Sequence, residues 1–184
     1  MDTYDFVQLS FLAVGGTIRG KTKLQKTIYF LGIMTGELEN LGYGPHFYGP
    51  YSPEVADAIG QLHTLGFLDR NTVQTGLKGA FGFEAARYDF TLTEAGKKIA
   101  TAKSGAHSDH WGKIKKAAED LKEAGDIDYM EMSIAAKTYF MLGGKKGAVS
   151  PDELAELAPR FGWTVRKDQI SEAVNYLQKL GLVG

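Results

Sequence analysis

Residues 15–22, GGTIRGKT, meet the letter of the phosphate-loop pattern: Gly15, four intervening residues, then Gly20, Lys21 and Thr22. Such a loop cradles phosphates with backbone amides, and it needs a buried strand before it and βαβ units after it. The preceding DFVQLSFLAVG reads as a helix, and no later apolar strand ends in an acid that would hold Mg²⁺. ATP binding is therefore the weakest expectation. His107, Asp109 and His110 form H-x-D-H, the residue types of a zinc or iron site. A metal needs a third or fourth ligand in defined geometry, and no second cluster follows. Polar residues ahead of a helix also serve as caps, which is the reading adopted. There is no G-x-S-x-G, no H-E-x-x-H and no cysteine to act as a thiol nucleophile. The expectation is a non-enzymatic protein without metal or cofactor.

Two other groupings suit binding rather than catalysis. Thr164, Arg166, Lys167, Gln169 and Ser171 cluster where the last helix begins, and could hold phosphates and reach base edges. Lys113, Lys115 and Lys116 would add charge, with Arg70, Lys78 and Arg87 on a nearby hairpin. Ordinary solvated cations would look the same. The helix over 54–65 argues the other way, since Glu54, Asp57, Gln61 and Thr64 face outward. Two charges about 4 Å apart at an effective dielectric near 20 interact by roughly 4 kcal/mol, so two acids facing a duplex backbone oppose binding. The second grouping is aromatic. Tyr43, His46, Phe47, Tyr48 and Tyr51 crowd a glycine–proline segment, and Tyr43, Tyr48 and Tyr51 are the candidate partner-binding residues. Phe47 and Tyr48 also read as pins holding the turns to the body; Tyr43 and Tyr51 are open between the two roles.

Hydrophobic spacing supplies the elements that must position these groups. A first helix carries Phe6, Leu9, Phe11, Leu12 and Ala13 and stops at Gly15-Gly16; KTKLQKTIYFLGIMTG follows, with Leu24, Ile28 and Leu31 on one stripe. YGPHFYGPYSP predicts turns around a short extended piece. Ser52-Pro53-Glu54 opens a helix with Val55, Ile59, Leu62 and Leu65 as its stripe and Gly66 as its end. FLDRNTV and FEAARYDFTL predict two strands around TGLKGAFG, and Thr93 opens another helix. The run LHTLGFLDR…RYDFTLTEAGKKI is similar to the ending of a winged helix-turn-helix. Beyond it lie a charged helix with Ile114, Ala118 and Leu121, a buried helix MEMSIAAKTYFMLGG, a capping box Ser150–Glu153, and RKDQISEAVNYLQKLG.

The last helix repeats an earlier one. Val55, Ala58, Ile59, Leu62, Leu65, Gly66, Phe67 and Leu68 return 115 residues on, from Ile170 to Val183. Lys26-Thr27 and Gly32 return as Lys137-Thr138 and Gly143 at an offset of 111. Agreement at both ends favours two related units.

Residues 24–68, about a quarter of the chain, carry a family resemblance. Leu24, Gln25, Lys26, Tyr29, Tyr48, Gly49, Pro50 and Tyr51 give an LQKxxY helix followed by an aromatic YGPY turn. This resembles an uncharacterised YwgA-like bacterial and archaeal family and, more distantly, the Panacea antitoxin domains. The Panacea resemblance implies a protein that neutralises or hands over a partner protein; the YwgA-like one implies no established activity.

Composition bounds the rest. The chain has 184 residues, 21 basic and 22 acidic side chains, and 43% hydrophobic residues, which excludes wholesale disorder. Without cysteine there is no disulfide framework, which suits a reducing cytoplasm. The charge divides evenly between the two halves, so neither is a basic arm. The N-terminus is acidic before its apolar run, unlike a signal peptide, and no apolar stretch is long enough for a membrane. Together these predict a mostly helical α+β protein: a winged helix-turn-helix over 1–103, a connecting helix over 104–128, and a second, wingless helix-turn-helix unit over 129–184. The expected role is a cytoplasmic, DNA-binding, transcription-regulator-like protein acting on double-stranded DNA, and the alternative is a Panacea-like antitoxin or adaptor. A second copy of the chain is kept as a further partner.

Overall fold

Two helices near the N-terminus carry runs of side chains with no exposed face at all. In Thr3–Ala13 (α1), Phe6 to Phe11 are all buried; in Lys21–Thr35 (α2), every residue from Leu24 to Gly32 is. A helix buried all round must be enclosed by its neighbours rather than laid on a surface. The computed structural model describes residues 1–78, 84–143 and 149–184. The tip of the expected wing (79–83), the side chain of Lys78 and the stretch 144–148, with Gly144, lie outside the described residues.

The chain is mostly helical α+β. After α1 come Thr17–Arg19 (β1), α2, a short 3-10 turn Leu38–Leu41, Pro53–Thr64 (α3), Leu68–Lys78 (β2) and Glu84–Leu92 (β3). Glu94–Ala106 (α4), Ser108–Ala124 (α5), Tyr129–Leu142 (α6), Pro151–Leu157 (α7) and Lys167–Lys179 (α8) complete it. The described sheet is antiparallel throughout, in the order β1-β3-β2, with Ile18 opposite Phe90 and Leu68 opposite Leu92. Those inward residues join one core with α1, α2 and α3. α5 buries Ile114, Ala117, Ala118, Leu121 and Ala124 in that same core, against α1 and α2. Ala135, Ala173 and Leu177 of α6 and α8 reach it too, while Met141, Leu154, Trp163, Val165 and Ile170 form a smaller cluster.

Local chemistry explains the element ends. Ser52 accepts a hydrogen bond from the Val55 amide at 2.9 Å, with Pro53 at the first helical position. The expected capping box of Ser150 with Glu153 forms, and the structure adds another, Asp128 with Glu131. The ends of α3 and α8 match as the repeat predicts: the Phe67 amide bonds Leu62 O at 2.8 Å and the Leu182 amide bonds Leu177 O at 3.0 Å.

Two expectations change. β1 is an addition; three residues between glycines carry no strand signal, and the pairing with β3 creates it. It also breaks up the GGTIRGKT match, because a helix precedes it and an antiparallel edge strand runs through its middle. Leu65, expected on the apolar stripe, is 59% exposed. It is the C-cap residue, and the turn at Gly66 brings Phe67 against the core in its place.

Gly96 marks the junction of α3, β2 and α4. The Thr93 hydroxyl accepts its amide hydrogen bond and donates to Gly66 O at 2.7 Å. A Cβ at Gly96 would lie 2.1 Å from the backbone oxygen of Phe67, which cannot step aside as a side chain would. Gly96→Ala is expected to destabilise the fold by about 2 kcal/mol or more in urea unfolding. Gly105→Ala, where nothing lies within 4 Å of the added atom, is the neutral control.

Candidate functional site

Two buried polar residues of α2, Gln25 and Lys26, are turned toward the segment 43–52 and hold it in place. Gln25 pairs with the backbone of Ser52 as a strand would, its Nε2 donating to Ser52 O at 3.0 Å and its Oε1 accepting from Ser52 N at 3.1 Å. Lys26, 1% exposed, donates from Nζ to Pro50 O at 2.6 Å. The Tyr43 hydroxyl donates to Gln25 O at 2.7 Å. From α6, Ser133 donates to Tyr48 O at 2.6 Å, and the Trp163 indole donates to His46 O at 2.6 Å. These buried donors would be costly if left unpaired, so the loop backbone is as much a partner to the core as a helix would be. Gly44 and Tyr51 close the base as an isolated antiparallel bridge.

Gly49 lets the loop sit this close. It has φ +92°, and a Cβ there would lie 3.1 Å from Lys137 Cγ, 3.3 Å from Ser133 O and 3.4 Å from Lys26 Cε. Lys26 and Lys137, matched by the internal repeat, thus meet under one peptide. Burial lowers the ammonium of Lys26 from its ordinary 10.5 to about 7, and the charge of Lys137 adds to the effect. Burial also lowers Lys137, whose Nζ lies 5.7 Å from the centre of the Trp163 ring.

The aromatics divide differently from the expectation. Tyr43 faces inward, its ring 5.0 Å from that of Tyr29, and burial pushes its hydroxyl well above the ordinary tyrosine range. Tyr51 is half-buried with its ring 5.0 Å from His46. Phe47 and Tyr48, expected as pins, are instead exposed at 69% and 47%, edge to face with centroids 4.9 Å apart. The anchoring is done by the hydrogen bonds beneath, which frees these two rings to face water.

The basic candidates are exposed but engaged. Arg166 grips Asp168 with two bonds, at 3.1 and 2.9 Å, and Lys167 pairs with Asp152. Gln169 accepts from the Arg166 amide, and the Ser171 hydroxyl donates to Lys167 O. Thr164 and Lys113 are exposed. Lys115 and Lys116 pair with Glu119 and Asp120 along α5. On the sheet, Arg87 grips Asp89, while Arg70 and Lys21 lie over the Tyr88 ring. Glu54 and Asp57 of α3 are exposed as expected. His107 and His110 turn to different acids, Asp5 and Glu37, each at 3.3 Å. Sequence reasoning missed Gln25, Lys26, Ser133 and Trp163 as the residues that build the site. The available signal was a Gln-Lys pair inside an otherwise apolar helical run.

No protein-family model matches the chain. Over 81 residues it is 41% identical to the uncharacterised protein YwgA of Bacillus subtilis (strain 168), an alignment covering 44% of this chain and 44% of that relative. The chain thus aligns with less than half of YwgA. The YwgA-like resemblance is supported; it brings no activity with it.

Lys26 makes stability depend on pH. Its folded-state value lies below that of the unfolded chain, so between about pH 7 and 10.5 the unfolded state binds more protons. Native stability therefore rises with pH across that window, and the penalty is complete below it. Lys26→Met removes both the penalty and the bond to Pro50. Whatever the variant's baseline, its stability relative to the parent is expected to fall by on the order of 2 kcal/mol from pH 7 to pH 9. Urea unfolding at both pH values measures this, and a difference that does not change with pH would refute it.

Proposed function

We propose that this is a non-enzymatic regulatory binding protein that grips a partner protein with the Phe47–Tyr48 tip of the anchored loop. One observation carries the reading: two adjacent exposed aromatic rings stand on backbone held by buried side chains from α2, α6 and Trp163. Rigid aromatics dominate binding hot spots because they bring large apolar area and lose little freedom on docking. The distant resemblance to Panacea antitoxin domains supports the same role, and a cytoplasmic setting accompanies it. Tyr43 serves the loop from within, and Tyr51 supports it beside His46. Phe47→Ala with Tyr48→Ala is expected to weaken a co-purifying partner by about 2 kcal/mol or more, with thermal stability unchanged. A partner kept at full affinity by the double variant removes the proposal.

The second reading is double-stranded DNA. The order α1-β1-α2-α3-β2-β3, with β1-β3-β2 in the sheet, supports a winged helix-turn-helix over 1–103, followed by a wingless unit over 129–184. Against it stand the exposed acids of α3 and the intramolecular pairing of Arg166, Lys167, Lys115 and Lys116. If DNA is the partner, a mobility shift should weaken steeply with salt and drop on Arg166→Ala with Lys167→Ala. Absence of a shift at low salt ends this reading.

A further inference from the structure

A cleft of about 740 Å³, to which the aromatic loop contributes no residue, lies between the turn after α1, β1, the first half of α2, the end of α5, the start of α6 and Tyr176 of α8. Its size falls in the range of about 300–1,000 Å³ that small-molecule sites occupy. The lining has two chemistries. Ile18, Leu121, Met132 and Tyr176 are buried apolar or aromatic residues at its floor, joined by half-buried Ile127. Around it stand Arg19, Lys23 and Lys122 against Glu119 and Asp126, which leaves one positive charge.

The cations are not equivalent. Lys23 is committed: its Nζ pairs with Asp126 and donates to Ile127 O at 3.0 Å, tying α2 to the α5–α6 link. Glu119 faces Lys115 at 4.0 Å. Arg19, from β1, and Lys122, from the last turn of α5, have no acidic partner among the described residues, and both are exposed. Asp89, opposite Arg19 in the sheet, is taken by Arg87. Two cations left without acids at the rim of an apolar cleft are a complementary setting for an anion.

We propose that this cleft binds a medium-chain carboxylate, with its hydrocarbon chain on the Ile18–Met132–Tyr176 floor and its head held by Arg19 and Lys122. A monoanion matches the single excess charge, and the guanidinium fork suits a planar carboxylate. The apolar floor supplies the affinity and the two cations supply the selectivity for a negative head.

Decanoate, kept below its micelle-forming concentration, is the probe, followed by calorimetry and by thermal shift on the full chain. Saturable one-site binding that raises the melting temperature is expected, with decanol and decylamine binding more weakly. Arg19→Gln with Lys122→Gln changes only exposed side chains and should leave the melting temperature of the free protein unchanged. It should weaken decanoate about tenfold while leaving decanol unaffected. No saturable binding, equal binding of decanol or decylamine, or undiminished decanoate binding by the double variant would each overturn the proposal.

Discussion

The buried bond from the Lys26 ammonium to the Pro50 carbonyl is the constraint on which the rest of the site depends. A lysine at 1% exposure is tolerable only with a strong acceptor and a shifted protonation equilibrium. It therefore demands that the loop stay closed over α2. Gln25 adds two more bonds on the same helix, and Ser133 and Trp163 add theirs from beyond it. The loop consequently behaves as a structural layer covering α2, although it contains almost no regular structure. Gly49 is a condition of this arrangement, because any side chain there would crowd the lysines and the α6 backbone.

Electrostatics on the surface follow a consistent pattern. Arg87, Arg166, Lys97, Lys103, Lys116 and Lys167 each face an acid from the same chain. Exposed pairs of this kind contribute little to stability, about 0–1 kcal/mol each, but they cancel the field a polyanion would feel. The near-neutral sequence charge is thus also neutral locally over most of the basic candidates. This is the physical ground for preferring a protein partner over a duplex as the proposed target. No helix among the described residues is long and apolar enough to cross a membrane.

Much of the fold was legible because its signals are local. Ser52, Thr93 and Ser150 announce helix starts through caps that form within four residues, and the 115-residue repeat anticipates that α3 and α8 end alike. The site was far less legible. Residue type makes pins of Phe47 and Tyr48 and leaves Tyr43 open, whereas the folded chain turns Tyr43 inward and Phe47 and Tyr48 outward. Each of these rings is chemically suited to either place. Which one is buried depends on where the backbone carbonyls of residues 46–50 find their side-chain donors, and those come from 24 to 117 residues away.

By itself the sequence determined the helical stripes, the caps at Ser52, Thr93 and Ser150, the two strand segments and the resemblance around LQK and YGPY, since each is written in neighbouring residues. Tertiary structure alone decided β1, the exposure of Leu65, the pairing of the cations and the meeting of Lys26 with Lys137 under Gly49. The physical reason is the same in each case. A hydrogen bond or ion pair between distant residues leaves no periodicity in either partner, so only the packed chain reveals which polar groups find each other.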